Sequence, residues 1–161
     1  MALNKSSLTD ALANIFDSKP SSSVEAGLQW AQAYYSYASG AMTSVASLPV
    51  NAPAGLPILI GAFSTALTIK QPQASAAAMA GGVMLFWQVI AWAGPTASGA
   101  TAVPGNFALI PALAGIFADA GGGGNRDKAG KLADAFDAGA KLVIAAEFHL
   151  VTGVPLVGPI Q

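Results

Sequence analysis

The sequence predicts an all-α protein: three tandem helical hairpins of about fifty residues each, joined by short proline-containing extended connectors and ending in an extended C-terminal arm. Three observations lead there. The phrase LTDALANIFDS at residues 8–18 nearly recurs as LIPALAGIFAD at residues 109–119, with a looser copy, LIGAFSTAL, at residues 59–67. A breaker-rich turn follows each copy, DSKPSSS, IKQPQAS and DAGGGGNRD. A second helical run then ends in bulky aromatics, with Tyr34, Phe86 and Phe136 at equivalent places.

In each copy the apolar residues fall at i, i+3, i+4, i+7 and i+8, the stripe of an amphipathic helix. Leu8, Ala11, Leu12, Ile15 and Phe16 thus correspond to Leu59, Ala62, Phe63, Ala66 and Leu67. In the third copy the set is Leu109, Ala112, Leu113, Ile116 and Phe117. Ala-rich helices also resemble one another by composition alone, but the two outer phrases share spacing as well as residue type. The second runs are VEAGLQWAQAYYSYA, AAAMAGGVMLFWQVIAWA and KAGKLADAFDAGAKLVIAAE. Ser6 or Ser7 is expected to cap the first helix with Asp10 in its first turn, Ser23 the second with Glu25 behind it, and Asn106 the third unit. Each unit closes on an apolar residue and a proline, Leu48-Pro49, Val103-Pro104 and Val154-Pro155, because the residue before proline is pushed out of the α region. The chain of 161 residues reads as one domain, with units at about 1–50, 51–105 and 106–161.

Charged residues make up 9% of the chain, against roughly a quarter in ordinary soluble proteins. Between Glu25 and Asp119 the only Asp, Glu, Lys, Arg or His is Lys70. So bare an exterior meets either protein or lipid. Lys and Arg form no basic stripe, which argues against nucleic acid as a partner. With no cysteine there is no thiolate chemistry, and the N-terminal run, broken by Asp10 and Asp17, is not expected to act as a cleaved signal.

The uncharged stretch at residues 75–94 is about long enough to cross a bilayer, with Trp87 and Trp92 as interfacial anchors. Its neutrality rests on Ala, Gly and Ser, which lipid rewards weakly, and it fills the same repeat slot as outer copies bearing Asp10, Asp17, Lys131, Asp134 and Asp137. Burial against protein is the simpler expectation, and a small membrane-active helical protein, holin-like or a pore, is the alternative.

Groups for chemistry are sparse, and the expectation is no enzyme, no cofactor, no metal and no small-molecule substrate. His149 is the single histidine, and it shares a side with Glu147 only if that segment is extended. The run GGGGNRDKAGKLA at residues 121–133 fails as a phosphate-binding loop, because Gly130-Lys131 is followed by Leu132 and Asn125 stands where the first glycine belongs. It reads as a solvated loop holding Arg126, Asp127 and Lys128, with Lys131 expected to pair with Asp134 three residues on. The aromatics Trp30, Tyr34, Tyr35, Phe86, Trp87 and Trp92 are assigned to hairpin core and oligomer contact, and Phe148, Val151, Val154 and Leu156 to an arm docking on a neighbour. A ligand pocket lined by Trp30, Tyr34 and Trp87 is a third reading.

The N-terminus MALNKSSLTDALANIF, the Ala-rich AQAYYSYASGAM, the repeated hairpins and the tail VTGVPLVGPIQ together resemble the small structural proteins of tailed-bacteriophage virions. That resemblance implies a non-enzymatic subunit of tail, baseplate, neck or capsid decoration, made in the host cytoplasm and located in the virion. Its implied partners are itself and other virion structural proteins. No functional residues carry over, and having three copies instead of fewer departs from apparent relatives.

Overall fold

A computed structural model describes residues 3–104, 108–119 and 123–161. Three helical hairpins are present: α1 (Lys5–Ser18) with α2 (Ser23–Ala38), α3 (Ala52–Ala66) with α4 (Pro72–Gln88), and α5 (Leu109–Ala118) with α6 (Asn125–Ala140). The fold is nevertheless mixed α/β. Five strands, β1 (Leu48–Pro49), β2 (Ala91–Ala93), β3 (Ala97–Val103), β4 (Ile144–His149) and β5 (Pro155–Pro159), form one antiparallel sheet in sequence order. This overturns the all-α expectation. The connectors are indeed extended, but they pair with one another, and the C-terminal arm folds back as β5 against β4.

Both longer second helices stop earlier than their apolar runs suggest. α4 ends at Gln88 and α6 at Ala140, just ahead of Val89-Ile90 and Val143-Ile144, pairs of β-branched residues that favour extended backbone. Trp92 and Glu147, read as helical, lie in strands. The caps are shifted by a residue or more: Asn4 accepts from Ser7 N–H at 3.0 Å, and Ser22 from Glu25 N–H at 3.1 Å. Asp10 lies beyond the first turn of α1. The cap expected at Asn106 lies outside the described residues.

Each helix packs on its sequence neighbours and α6 returns to α1, so the six close a ring. The repeated stripe faces inward: Leu8, Leu59 and Leu109 are buried, as are Leu12, Phe63 and Leu113. The three equivalent aromatics meet at the centre, where Tyr34 lies 6.0 Å from Phe86 and 5.0 Å from Phe136 between ring centroids. Phe63 stacks on Phe136 at 5.9 Å.

The hairpins are not equally tight, and one repeat position explains why. Gly82 in α4 aligns with Trp30 in α2 and Leu132 in α6, while Ala62 in α3 aligns with Ala11 and Ala112. A Cβ on Gly82 would run into Ala62 Cβ, so α3 and α4 lie in close contact. Trp30 fills the same place with an indole that meets Phe16 edge-on at 5.5 Å. A groove of about 640 Å³ is left between α1 and α2, lined by Ala11, Ile15, Gln29, Gln32, Ala33 and Ser36 among others.

The ring closes along α1 and α6 through polar contacts: Lys5 to Asp134 at 2.6 Å, Arg126 to Asp10 at 2.7 Å, and Asn125 to Asp17 at 2.8 Å. The sheet covers the end of the ring where the even-numbered helices finish, and Trp92 of β2 stacks on Trp87 of α4 at 6.2 Å. The chain between α2 and β1 ties the sheet's two ends together. Met42 exchanges hydrogen bonds of 3.0 and 2.8 Å with Gln161 beside β5, and Leu48 and Pro49 pair with β2.

Candidate assembly surface

The sheet has two chemically different faces. On the inner face the register aligns Pro49, Trp92, Gly99, Glu147 and Leu156, with Trp92 and Glu147 buried. Alternation puts the intervening residues outside. One outer row runs Leu48, Ala93, Ser98, Phe148, Pro155, and the next runs Ala91, Ala100, Ala146, Val157. Neither row carries a charge. Leu48, Phe148 and Val157 are 46%, 58% and 68% exposed, and Val151 in the β4–β5 turn is 87% exposed.

Proline removes most of the outward donors at both edges of the sheet. Ile160 N–H bonds to Val143 O and Val154 O accepts from His149 N–H, so even-numbered residues of this segment turn their backbone toward β4. The outward positions are therefore 155, 157 and 159, and two of them are prolines without an N–H. At the other edge Val50 N–H bonds to Ala91 O, which turns Pro49 outward. Strand addition is thus disfavoured by sequence at both sides.

Charge collects elsewhere. Asp17, Lys19, Lys70, Asp119, Arg126 and Asp127 lie on or beside the hairpin turns at the opposite end, and the remaining exposed charges are mostly on α1 and α6. Lys131 pairs with Asp119 and Asp127 at 3.4 and 3.3 Å, not with Asp134, because Lys5 occupies Asp134. These partners hold the Lys5 and Lys131 ammonium groups above their ordinary pKa, in each case chiefly through side-chain hydrogen bonds. The Ser21 hydroxyl and N–H hold the Glu25 carboxyl below its ordinary range. The run read as a solvated loop is helical from Asn125 onward, with Arg126 and Asp127 in ion pairs.

Of the residues assigned to oligomer contact, Trp30, Tyr34, Phe86, Trp87 and Trp92 are buried in the chain's own core and offer a partner no surface. Tyr35 is half-buried against that core, and Leu156 is half-buried on the sheet's inner face. Phe148, Val151 and Val154 are exposed, on a folded strand and turn instead of a free arm. The outer residues Leu48, Ala100 and Val157 escaped the sequence reading. The signal available for them was alternation in β4 and β5, where Phe148 and Val157 stand out of phase with buried Glu147.

Most of the core's polar groups are internally satisfied, the exceptions among the described residues being Ser64 Oγ and Glu147 Oε1. Trp87 Nε1–H donates to Tyr34 Oη at 2.9 Å, and Tyr37 Oη–H donates to Asp137 Oδ1 at 2.8 Å, whose other oxygen meets Lys141 Nζ at 2.7 Å. Burial pushes both phenols, Tyr34 and Tyr37, well above the ordinary tyrosine range, and for Tyr37 the Asp137 hydrogen bond adds to it. Trp30, Tyr34 and Trp87 are buried in the core and do not line the groove between α1 and α2. β4 does place Glu147 and His149 on one face. The Glu147 carboxyl is 3% exposed with Oε1 unpartnered, and His149 Nδ1 accepts from Val151 and Thr152 N–H at 3.3 and 3.4 Å, holding the β4–β5 turn. Among the described residues no three of His, Cys, Asp and Glu gather as metal ligands, and no helix is long and apolar enough to cross a membrane.

These features define a closed ring of three αα hairpins capped by an antiparallel sheet with an uncharged outer face. No protein-family model, curated protein or solved structure matches the chain.

Proposed function

We propose that this chain is a non-enzymatic structural subunit that assembles through apolar surface. On the resemblance of its sequence to virion structural proteins, we place it in the tail, baseplate, neck or capsid decoration of a tailed bacteriophage. The observation that carries the reading is the sorting of charge: exposed ion pairs gather on α1, α6 and the hairpin turns, while the sheet end presents exposed Leu48, Phe148, Val151 and Val157. A subunit that stays soluble before assembly keeps its charge on the faces that remain in water.

Expression without detergent, light scattering on the soluble fraction and mass spectrometry of purified phage particles test this. A soluble species whose mass rises with concentration, together with the chain's peptides in intact particles, is the expected result. Recovery only in a membrane pellet after alkaline washing, or absence from the particles, overturns it.

A further inference from the structure

We infer that the outer face of the sheet is a self-complementary interface, and that its occupant is the same face of a second copy related by a two-fold axis near Ala100. The inference rests on the assembly reading above and specifies which surface assembles and with what.

Chemistry favours a second copy. The two outer rows hold no charge and one hydroxyl, at Ser98, so two such faces meet without stranding a charge away from water. A charged partner would have to desolvate its own groups against this face with nothing to pair them.

Shape favours it too. The face carries large side chains at Leu48, Phe148 and Val157 and small ones at Ala91, Ala93, Ala100 and Ala146. Under a two-fold axis running along the middle strand, β3, the register sets Phe148 of each copy over Ala93 of the other, and Ala91 over Ala146. This is the interdigitation of aligned sheet packing. The edges, with proline at 49, 155 and 159, are poor templates for a further strand, so the face is the better surface the sheet has to offer.

The area is adequate for a reversible dimer. The five strands, from two to seven residues long at about 3.4 Å per residue and set about 4.8 Å apart, cover roughly 400 Å² in plan. Protruding side chains and the exposed turn at Leu150, Val151 and Val154 enlarge the accessible area toward about 600 Å² per partner, the low end of specific interfaces. An apolar patch of that extent lies at the upper end of the range for monomers, where such patches are often functional. Association should therefore depend on concentration.

Ala100 is exposed on β3 and near the proposed axis, so each copy's residue faces its twin. Sedimentation of wild type, Ala100→Glu, Ala100→Lys and an equimolar mixture of the two variants tests the inference, with circular dichroism verifying the fold. Val157→Glu on the edge strand serves as a second, independent probe. Each single variant is expected to shift to monomer, and the mixture to recover a heterodimer through opposite charges. Variants that dimerise as wild type does overturn the interface while leaving assembly through another surface intact. A wild type that stays monomeric at every concentration overturns the second copy as occupant. The presence or absence of the chain in particles then decides the assembly reading separately.

Discussion

Gly81 and Gly82 are neighbours in α4 and should answer the same substitution with opposite signs. A Cβ on Gly81 meets nothing within 4 Å, so Gly81→Ala gains helix propensity, about 1 kcal/mol, with no steric cost. A Cβ on Gly82 would lie far inside contact distance of Ala62 Cβ. Carbon atoms rest about 3.5–4.0 Å apart, and neither methyl has a rotamer by which to escape, so α3 and α4 must separate by more than about 1 Å. Overpacking of this kind costs about 3 kcal/mol at its upper end, which leaves Gly82→Ala about 2 kcal/mol less stable after the same propensity gain. For a chain of this size the first variant should melt about 2–4 °C higher and the second about 4–8 °C lower. Thermal unfolding followed by circular dichroism reads both. Adding Ala62→Gly to Gly82→Ala should recover most of the loss, since the pair shares one contact. A Gly82→Ala protein melting at or above wild type would refute the argument that this glycine sets the spacing of the central hairpin.

Phe136→Ala should cost about 3–5 kcal/mol in urea unfolding and couple with Tyr34→Ala, whose ring lies 5.0 Å away, whereas exposed Phe148→Ala should stay within about 0.5 kcal/mol; equal effects at both phenylalanines contradict the central aromatic cluster. Because Tyr34 and Tyr37 have folded pKa values raised above the ordinary 10.0, their stabilising contribution is complete below about pH 10 and is lost as pH rises toward the folded values. Melting temperature should fall as pH rises above about 10, less steeply in Tyr37→Phe, and in a Tyr35→Phe background tyrosinate absorbance should appear only on unfolding; ionisation of Tyr34 or Tyr37 in the folded protein contradicts this. Replacing both Pro155 and Pro159 with Val restores outward N–H groups on β5, and sedimentable, amyloid-dye-positive aggregate should increase on storage. An unchanged aggregation rate would show that the prolines do not guard that edge.

The hairpins were legible in the sequence because their apolar stripe is written three times, and Leu8, Leu59 and Leu109 face the same interior. The strands were not. Their sequences, AWA, ASGATAV and IAAEFH, are mostly Ala and small residues that carry little strand preference, and β2 and the start of β4 continue apolar helical runs without a break. Only the β-branched pairs Val89-Ile90 and Val143-Ile144 mark where extended backbone takes over. The aromatics misled for a related reason: Trp30, Tyr34 and Trp87 would suit a core or an interface equally, and burial alone separates the two. Val151 and Val154 were recognisable as surface, but whether they belonged to a free arm or to the turn of a paired hairpin depended on β4, which ends at His149 just before them.

Ring closure fixes how many units this architecture can hold. In an open solenoid each repeat meets only its neighbours, so copies are added or lost at an end with little change to the remainder. Here α6 is also the neighbour of α1, and the last residue, Gln161, is bonded to Met42 beyond the first hairpin. Deleting a hairpin would open a gap that the two remaining units cannot span, and inserting a fourth would pull Tyr34, Phe86 and Phe136 off their common centre. Duplication could therefore build the molecule but cannot extend it, and further growth has to come from joining whole molecules.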